Sequence, residues 1–202
     1  DIINEGNIIG SFDLASPGFH NALNATVAVA VAVDLGLSIE NIKKGISQFA
    51  GVARRFQYRG EINGVSFIDD YAHLPTEVES ALEAAKAGKW NRIVAVFQPH
   101  RFTRTNDLAA AFSDCFQDAD EIVITGIYSA GEKAIPGVTG KLVADAVTAK
   151  AIGKNVRYCE HREDLIVFLR ELLVEGDLCL TLGAGDLTNI VDQLMGALED
   201  DR

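Results

Sequence analysis

The sequence predicts an α/β fold: a Rossmann-like, open and mostly parallel sheet that begins with an antiparallel hairpin and follows part of another domain. Three observations predict it. From residue 65 onward, short β-branched or apolar runs alternate with stretches whose apolar residues recur at helical spacing. The connections between those runs are too long for hairpins, which implies parallel strands, right-handed crossovers and helices on both faces. Finally, Asn63-Gly64 separates two strand-like runs, and its tolerance of positive φ suits a type I′ hairpin turn.

In chain order, residues 2–9 and 12–14 read as a strand pair turning at Gly10-Ser11, after which Ser16-Pro17-Gly18 breaks the chain. Residues 24–35, NATVAVAVAVDL, alternate at a strand's period, but their length and alanine content favour a helix stopped by Gly36. A second helix is expected over 39–49, after Ser38. One strand pair and two helices cannot enclose a core. Residues 1–50 therefore read as the end of a preceding domain, with the junction near 50–53 and a second domain over 51–202. The hairpin takes residues 58–62 and 65–69. Parallel strands are expected at 65–68, 93–97, 121–125, 156–159 and 178–182, and helices at 76–87, 107–117, 141–150, 163–174 and 186–198. Thr76 with Glu79 fits a capping box at the first of these helices.

Composition limits the function. With 18 Lys and Arg against 29 Asp and Glu, the formal charge of −11 argues against a nucleic-acid clamp or a binder of anionic membranes. An apolar share of 48% with 23% charged residues is the balance of a chain that buries a core. The longest apolar-rich run, 25–33, is about half of a membrane-crossing helix, and no basic segment precedes an apolar one at the start, so a cytoplasmic location is expected. Cys115, Cys159 and Cys179 form no C-x-x-C pair and read as reduced, buried apolar residues. His20, His73, His100 and His161 lack metal-ligand spacing, so no metal site is expected from them.

In open α/β sheets ligands bind beyond the carboxyl ends of the strands, so the residues that follow each strand carry the search. They are Asp69-Asp70-Tyr71-Ala72-His73, then His100-Arg101-Phe102-Thr103-Arg104, then Tyr128-Ser129-Ala130-Gly131-Glu132, and last Gly183-Ala184-Gly185-Asp186. Asp70 could accept hydrogen bonds from sugar hydroxyls or organise the water around a metal. His73 could hold or relay a proton. Arg101 and Arg104, three apart at a strand-to-helix transition, suit bidentate binding of a carboxylate or phosphate. Arg54 and Arg55 are a second cationic pair. Gly183-Ala184-Gly185 lacks the third glycine and the following strand of a dinucleotide fingerprint, and no G-x-x-x-x-G-K-[ST] loop occurs anywhere.

Taken together, GFHNALNA at 18–25, GVARRFQ at 51–57, DDYAHLPTE at 69–77, FQPHRFTRT at 97–105, YSAGE at 128–132 and TLGAGD at 181–186 resemble the Mur ligases of bacterial peptidoglycan synthesis. Within that family, the resemblance is to the members that join L-alanine to UDP-N-acetylmuramate. It implies the end of a central ATPase domain followed by a complete C-terminal domain, with the N-terminal and central domains of the same polypeptide as absent partners. It also implies a reaction in which ATP phosphorylates the muramoyl carboxylate and the amine displaces phosphate, with Mg2+ offsetting charge. By the same resemblance, His20, Asn21 and Asn24 contact adenine, Arg55 reaches the ATP phosphates, and Asp70 lies near the ribose. Tyr71, His73, Arg101 and Arg104 line the amino-acid pocket, with the two arginines on the alanine carboxylate. One position departs from the pattern, since family members usually have a second histidine where this chain has Leu74, and packing against the next helix is the favoured reading of that leucine. Two alternatives stay open: a murein peptide ligase that recycles a tripeptide onto the same nucleotide, and a non-catalytic nucleotide or amino-acid binding module of the same fold.

Overall fold

The computed structural model describes residues 1–15, 18–49, 51–151 and 153–200, with backbone only for His20 and Asp200. The chain divides into two compact units, Asp1–Ala53 and Arg54–Arg202.

In the first unit, strands β1 (Ile2–Asn4) and β2 (Asn7–Gly10) pair antiparallel. Their turn is at Glu5-Gly6, with φ of 48° and 80°, and not at the expected Gly10-Ser11. The two positive angles of a tight hairpin fall where a glycine can take the second of them, whereas Gly10 lies in the ladder opposite Ile2. Residues 12–14 form no strand, and Ser16 and Pro17 of the expected break lie outside the described residues. The Val-Ala stretch is helical, within α1 (Phe19–Asp34). Its end is a Schellman arrangement, in which Gly36 N–H donates to Val33 O and Leu37 N–H to Ala32 O, with Gly36 at φ 79°. Helix α2 (Ile39–Gln48) starts at Ser38, whose hydroxyl accepts from the Asn41 N–H at 3.4 Å. Val29 and Ile42 are buried, while Phe19, Leu23, Val27, Val31 and Leu35 form an exposed apolar stripe along α1.

The second unit opens with the hairpin of β3 (Gln57–Ile62) and β4 (Val65–Asp70), turned by Asn63 and Gly64 at φ of 52° and 74°. Then follow α3 (Pro75–Lys86), β5 (Arg92–Phe97), α4 (Phe102–Leu108), β6 (Glu121–Thr125), α5 (Lys141–Lys150), β7 (Asn155–Cys159), α6 (Arg162–Leu172), β8 (Asp177–Leu182) and α7 (Thr188–Asp200). The sheet order is β3-β4-β8-β5-β6-β7, and every pairing except β3 with β4 is parallel. The β4 and β8 strands are buried along their whole length, as strands covered on both faces must be.

Crossover handedness decides which helix covers which face. Steps from β4 to β5, β6 and β7 run one way across the sheet and place α3, α4 and α5 on one side. There Val78, Leu82, Phe112, Phe116, Val143 and Val147 pack on Phe97, Ile122 and Ile124. The return from β7 to β8 runs the other way, so α6 and α7 bury Leu165, Leu169, Val191 and Leu194 against Phe67, Val94, Val96 and Val123 on the opposite face.

Two local expectations fail for identifiable reasons. The helix placed at 107–117 begins earlier, at Phe102, and tightens into a 3-10 stretch over Ala109–Asp114. The capping box of Thr76 and Glu79 does not form, because Pro75 takes the first helical position and brings Glu77 to the third. The Glu77 carboxylate accepts from the N–H of His73 at 2.9 Å and of Leu74 at 3.2 Å.

At the opposite end of the strands, Asp177 is 1% exposed. It accepts from Arg92 Nε at 2.9 Å, Arg92 Nη2 at 2.6 Å and the Val174 N–H at 2.9 Å. Replacing Arg92 with Ala leaves that carboxylate short of its charged partner, and a loss of about 2 to 3 kcal/mol is expected. Urea unfolding checks this, the expected outcome being a lower midpoint at unchanged slope.

Candidate functional site

The sheet reverses its strand order at β8, which lies between β4 and β5, so the loops after these strands face a topological switch point. Most residues singled out in the second unit come from those loops.

Asp69 and Asp70 end β4, and both are buried. Asp69 accepts from Arg54 Nε at 3.1 Å and from the Thr181 hydroxyl at 2.7 Å, while Arg54 also donates to Gly183 O at 2.6 Å. It is an internal strut. The Asp70 oxygens accept from the Phe56 N–H and the Ala72 N–H, both at 2.7 Å. Burial pushes the Asp70 carboxyl up from its ordinary range, against the lowering effect of those two bonds. Arg54 and Arg55 lie over the Tyr71 ring, with guanidinium carbons 5.1 and 5.5 Å from its centroid. Arg55 also stands 3.9 Å from Glu77 and is half exposed.

Tyr71 begins a row of rings. It meets His73 edge-on at 5.5 Å, His73 meets His100 at 5.6 Å, and His100 stacks on Tyr128 at 5.6 Å. The row thus spans the loops after β4, β5 and β6. Main-chain bonds hold its far end: Tyr128 N–H donates to Pro99 O at 2.9 Å, and Arg101 N–H to Tyr128 O at 2.8 Å. Glu132 fastens the same loop to α4 by accepting from the Thr103 N–H at 3.1 Å and hydroxyl at 2.7 Å, bonds that hold its carboxyl below the usual range.

Arg104 donates to His100 Nδ1 at 3.0 Å. Arg101 precedes α4 at φ 70°, is exposed, and lies within electrostatic reach of His100. Burial first, and then the Arg104 charge, push the His100 imidazole below its ordinary value of 6.5. Tyr71, His73, Arg104 and Arg101 therefore gather at one edge. Leu74 is half-buried at the start of α3. Asn21 and Asn24 lie on α1 in the other unit, as does His20, whose side chain is outside the described residues.

Sequence reasoning placed His100 and Tyr128 among the strand-end residues without giving them a role, and gave Glu77 none. The signal was available for the first two, since both directly follow strands whose neighbours were chosen. The glycines after β8 permit close approach: a Cβ on Gly183 would stand 3.2 Å from Gln98 Cβ, and one on Gly185 would overlap the Tyr128 ring. Gln98 bridges these loops, donating to Asp186 at 2.9 Å and accepting from the Leu187 N–H at 3.2 Å. A cleft of about 280 Å3 is lined by Tyr128 together with Ser129, Glu160, Arg162 and Asp186. Among the described residues, no helix is long and apolar enough to cross a membrane.

The family described as Mur ligase, glutamate ligase domain, matches residues 54–185. The chain is 43% identical over 202 residues to the UDP-N-acetylmuramate–L-alanine ligase of Pelotomaculum thermopropionicum, all of this chain but 44% of that protein. It is 44% identical over 190 residues to the ligase of the same name from Myxococcus xanthus, 94% of this chain and 40% of the relative. The chain thus spans less than half the length of these relatives. Among solved structures, the UDP-N-acetylmuramate–alanine ligase of Thermotoga maritima superposes with a TM-score of 0.77 at 30% identity, over 95% of this chain and 40% of that one. A murein peptide ligase from Psychrobacter arcticus shares the fold, with a TM-score of 0.69 at 23% identity over 93% of this chain and 38% of that one. Since the family match runs over the sheet and over every strand end from which the ring row and its arginines project, the chain belongs to the Mur ligase family.

Proposed function

We propose that this chain is the amino-acid-receiving part of an ATP-dependent ligase that joins L-alanine to UDP-N-acetylmuramate in peptidoglycan synthesis. One observation carries the reading: Tyr71, His73, His100 and Arg104 form an unbroken row at the switch point, with Arg101 within electrostatic reach of His100. Such a rim offers guanidinium forks to a carboxylate and an imidazole nitrogen to an ammonium, which suits a small zwitterion. The names of the relatives supply the identity of the amino acid and of its acceptor.

In this reading Arg101 and Arg104 fix the alanine carboxylate and leave its amine directed at the activated muramoyl carboxyl. The amine attacks, phosphate leaves, and an amide forms. Most of the acceleration then comes from alignment, which turns a bimolecular attack into an effectively intramolecular one. Arg55, held over Tyr71, serves the phosphates of ATP. Asp70 has both oxygens on backbone N–H groups, so it supports the nucleotide chiefly by fixing the turn that carries Arg55. Residues 1–50 belong to the ATP-binding domain, where His20, Asn21 and Asn24 meet adenine, and the whole ligase works in the cytoplasm. Among the described residues no group of three or more His, Cys, Asp or Glu could hold a metal ion, and in this reading the Mg2+ that offsets phosphate charge would be held with ATP by the rest of the ligase.

Two outcomes are expected. Titrated with L-alanine and followed by NMR, the 202-residue chain carrying Arg101→Ala binds on the order of tenfold to a hundredfold more weakly than the unaltered chain, the loss of one charge-assisted bond; equal affinity removes Arg101 from the pocket. Having no G-x-x-x-x-G-K-[ST] loop, the chain alone is expected to form no amide from ATP, L-alanine and UDP-N-acetylmuramate. Phosphate release coupled to product in that assay would overturn the division of labour between the two domains.

A further inference from the structure

The two facing imidazoles differ in what engages their Nδ1 atoms. His73 Nδ1 is 3.0 Å from the carbonyl oxygen of Tyr71, which can only accept, and 3.3 Å from a Glu77 oxygen. That nitrogen must carry a proton. His100 Nδ1 is 3.0 Å from a guanidinium nitrogen of Arg104, which can only donate. That nitrogen must be bare. A ring-nitrogen partner fixes the tautomer of the whole ring.

We propose that the protein locks His73 and His100 in opposite tautomers, so that the rim presents a bare Nε2 on His73 beside an Nε2–H on His100. Glu77 and Arg104 act as positioning residues for the two rings. The pair forms an acceptor and a donor about one ring-stacking distance apart, with centroids 5.6 Å from each other. For an α-amino acid, His100 Nε2–H adds a donor to the carboxylate, and His73 Nε2 takes a proton from the ammonium. In that step one N–H bond breaks, its electron pair stays on the amine as the attacking lone pair, and the proton bonds to Nε2. The imidazolium so formed faces the Glu77 carboxylate through Nδ1, which offsets its charge.

The groups around His100 favour its neutral form. Arg104, Arg101 and His73 oppose a positive charge there, Glu132 alone favours one, and Tyr128 covers a ring face. The choice of an amino acid as ligand rests on the function proposed above; the tautomers do not.

The test uses the 202-residue chain labelled with 15N-histidine at neutral pH. Two-bond 1H–15N spectra are assigned through His20→Gln, His73→Gln, His100→Gln and His161→Gln in turn. A downfield, unprotonated resonance is expected from Nε2 of His73 and from Nδ1 of His100. Any other arrangement in the folded chain overturns the proposal. Arg104→Met is expected to shift His100 alone toward a tautomer mixture, and an unchanged His100 pattern overturns the lock. L-alanine is then added. Movement of both Nε2 resonances supports the acceptor and donor roles; opposite tautomers with neither Nε2 moved sink the amino-acid reading and the base role of His73 while the lock stands.

Discussion

Asp69 has no solvent contact, and a buried carboxylate survives in a fold only where charge and hydrogen bonds replace its water. The replacement comes from far apart in the chain: Arg54 ahead of the sheet, Thr181 on β8, and through the same guanidinium the Gly183 carbonyl just beyond it. One charge therefore closes the lead-in segment, β4 and β8 onto a single point. The neighbouring Asp70 repeats the device with neutral donors, fixing Phe56 and Ala72. Arg55 follows Arg54 and Tyr71 follows Asp70, so the two anchored carboxylates bring cation and ring together, 5.5 Å apart.

The rest of the edge follows from topology. Because β8 is inserted between β4 and β5, the loops carrying Tyr71 and His100 are two strands apart, and the loop between them must stay low for the ring row to cross. Gly183 and Gly185 meet that need, lying so close to Gln98 and Tyr128 that side chains would collide. Gln98 then ties the two loops together, donating to Asp186 and accepting from the Leu187 N–H, a buried group that would otherwise be left unpaired.

Much of this was legible in the sequence because it rests on local rules. The parallel strands could be read from continuous apolar runs, the hairpin from Asn63-Gly64, and the polar strand ends from position alone. Where the sequence misled, competing local signals were close in strength. Gly10-Ser11 and Glu5-Gly6 both offer a turn, and only pairing across the ladder selects the second. Thr76 with Glu79 and Glu77 with the chain before Pro75 both offer a cap, and the proline decides between them. The struts Arg54–Asp69 and Gln98–Asp186 were beyond reach, since they join residues 15 and 88 positions apart, and the second depends on β8 lying beside β5. The link between Arg104 and His100 is local, only four residues apart, but it needs α4 to begin at Phe102, whereas the helix was expected only from residue 107.

Backbone strain is concentrated along the same edge. Among the described residues, Glu5 and Asn63 take positive φ in hairpin turns, but Arg54, Phe56, Arg101 and Ala130 do so along the edge that carries the ring row. A non-glycine residue there costs about 1 to 3 kcal/mol and persists only where its surroundings enforce it. The enforcement is visible. Arg54 donates its N–H to Gln57 at 2.8 Å and lends its carbonyl to Tyr71 at 2.7 Å. Phe56 is held by Asp70, and Arg101 is fixed from both ends, through Tyr128 and through Thr105, whose hydroxyl returns to the Arg101 carbonyl at 2.8 Å. Packing alone would not call for this, because relaxed loops would cover the same core. Three of the four strained residues around this rim, Arg54, Phe56 and Arg101, are thus bound in place, and under the proposed function that sets the positions of Arg55, Tyr71, His100 and Arg101 before any ligand arrives.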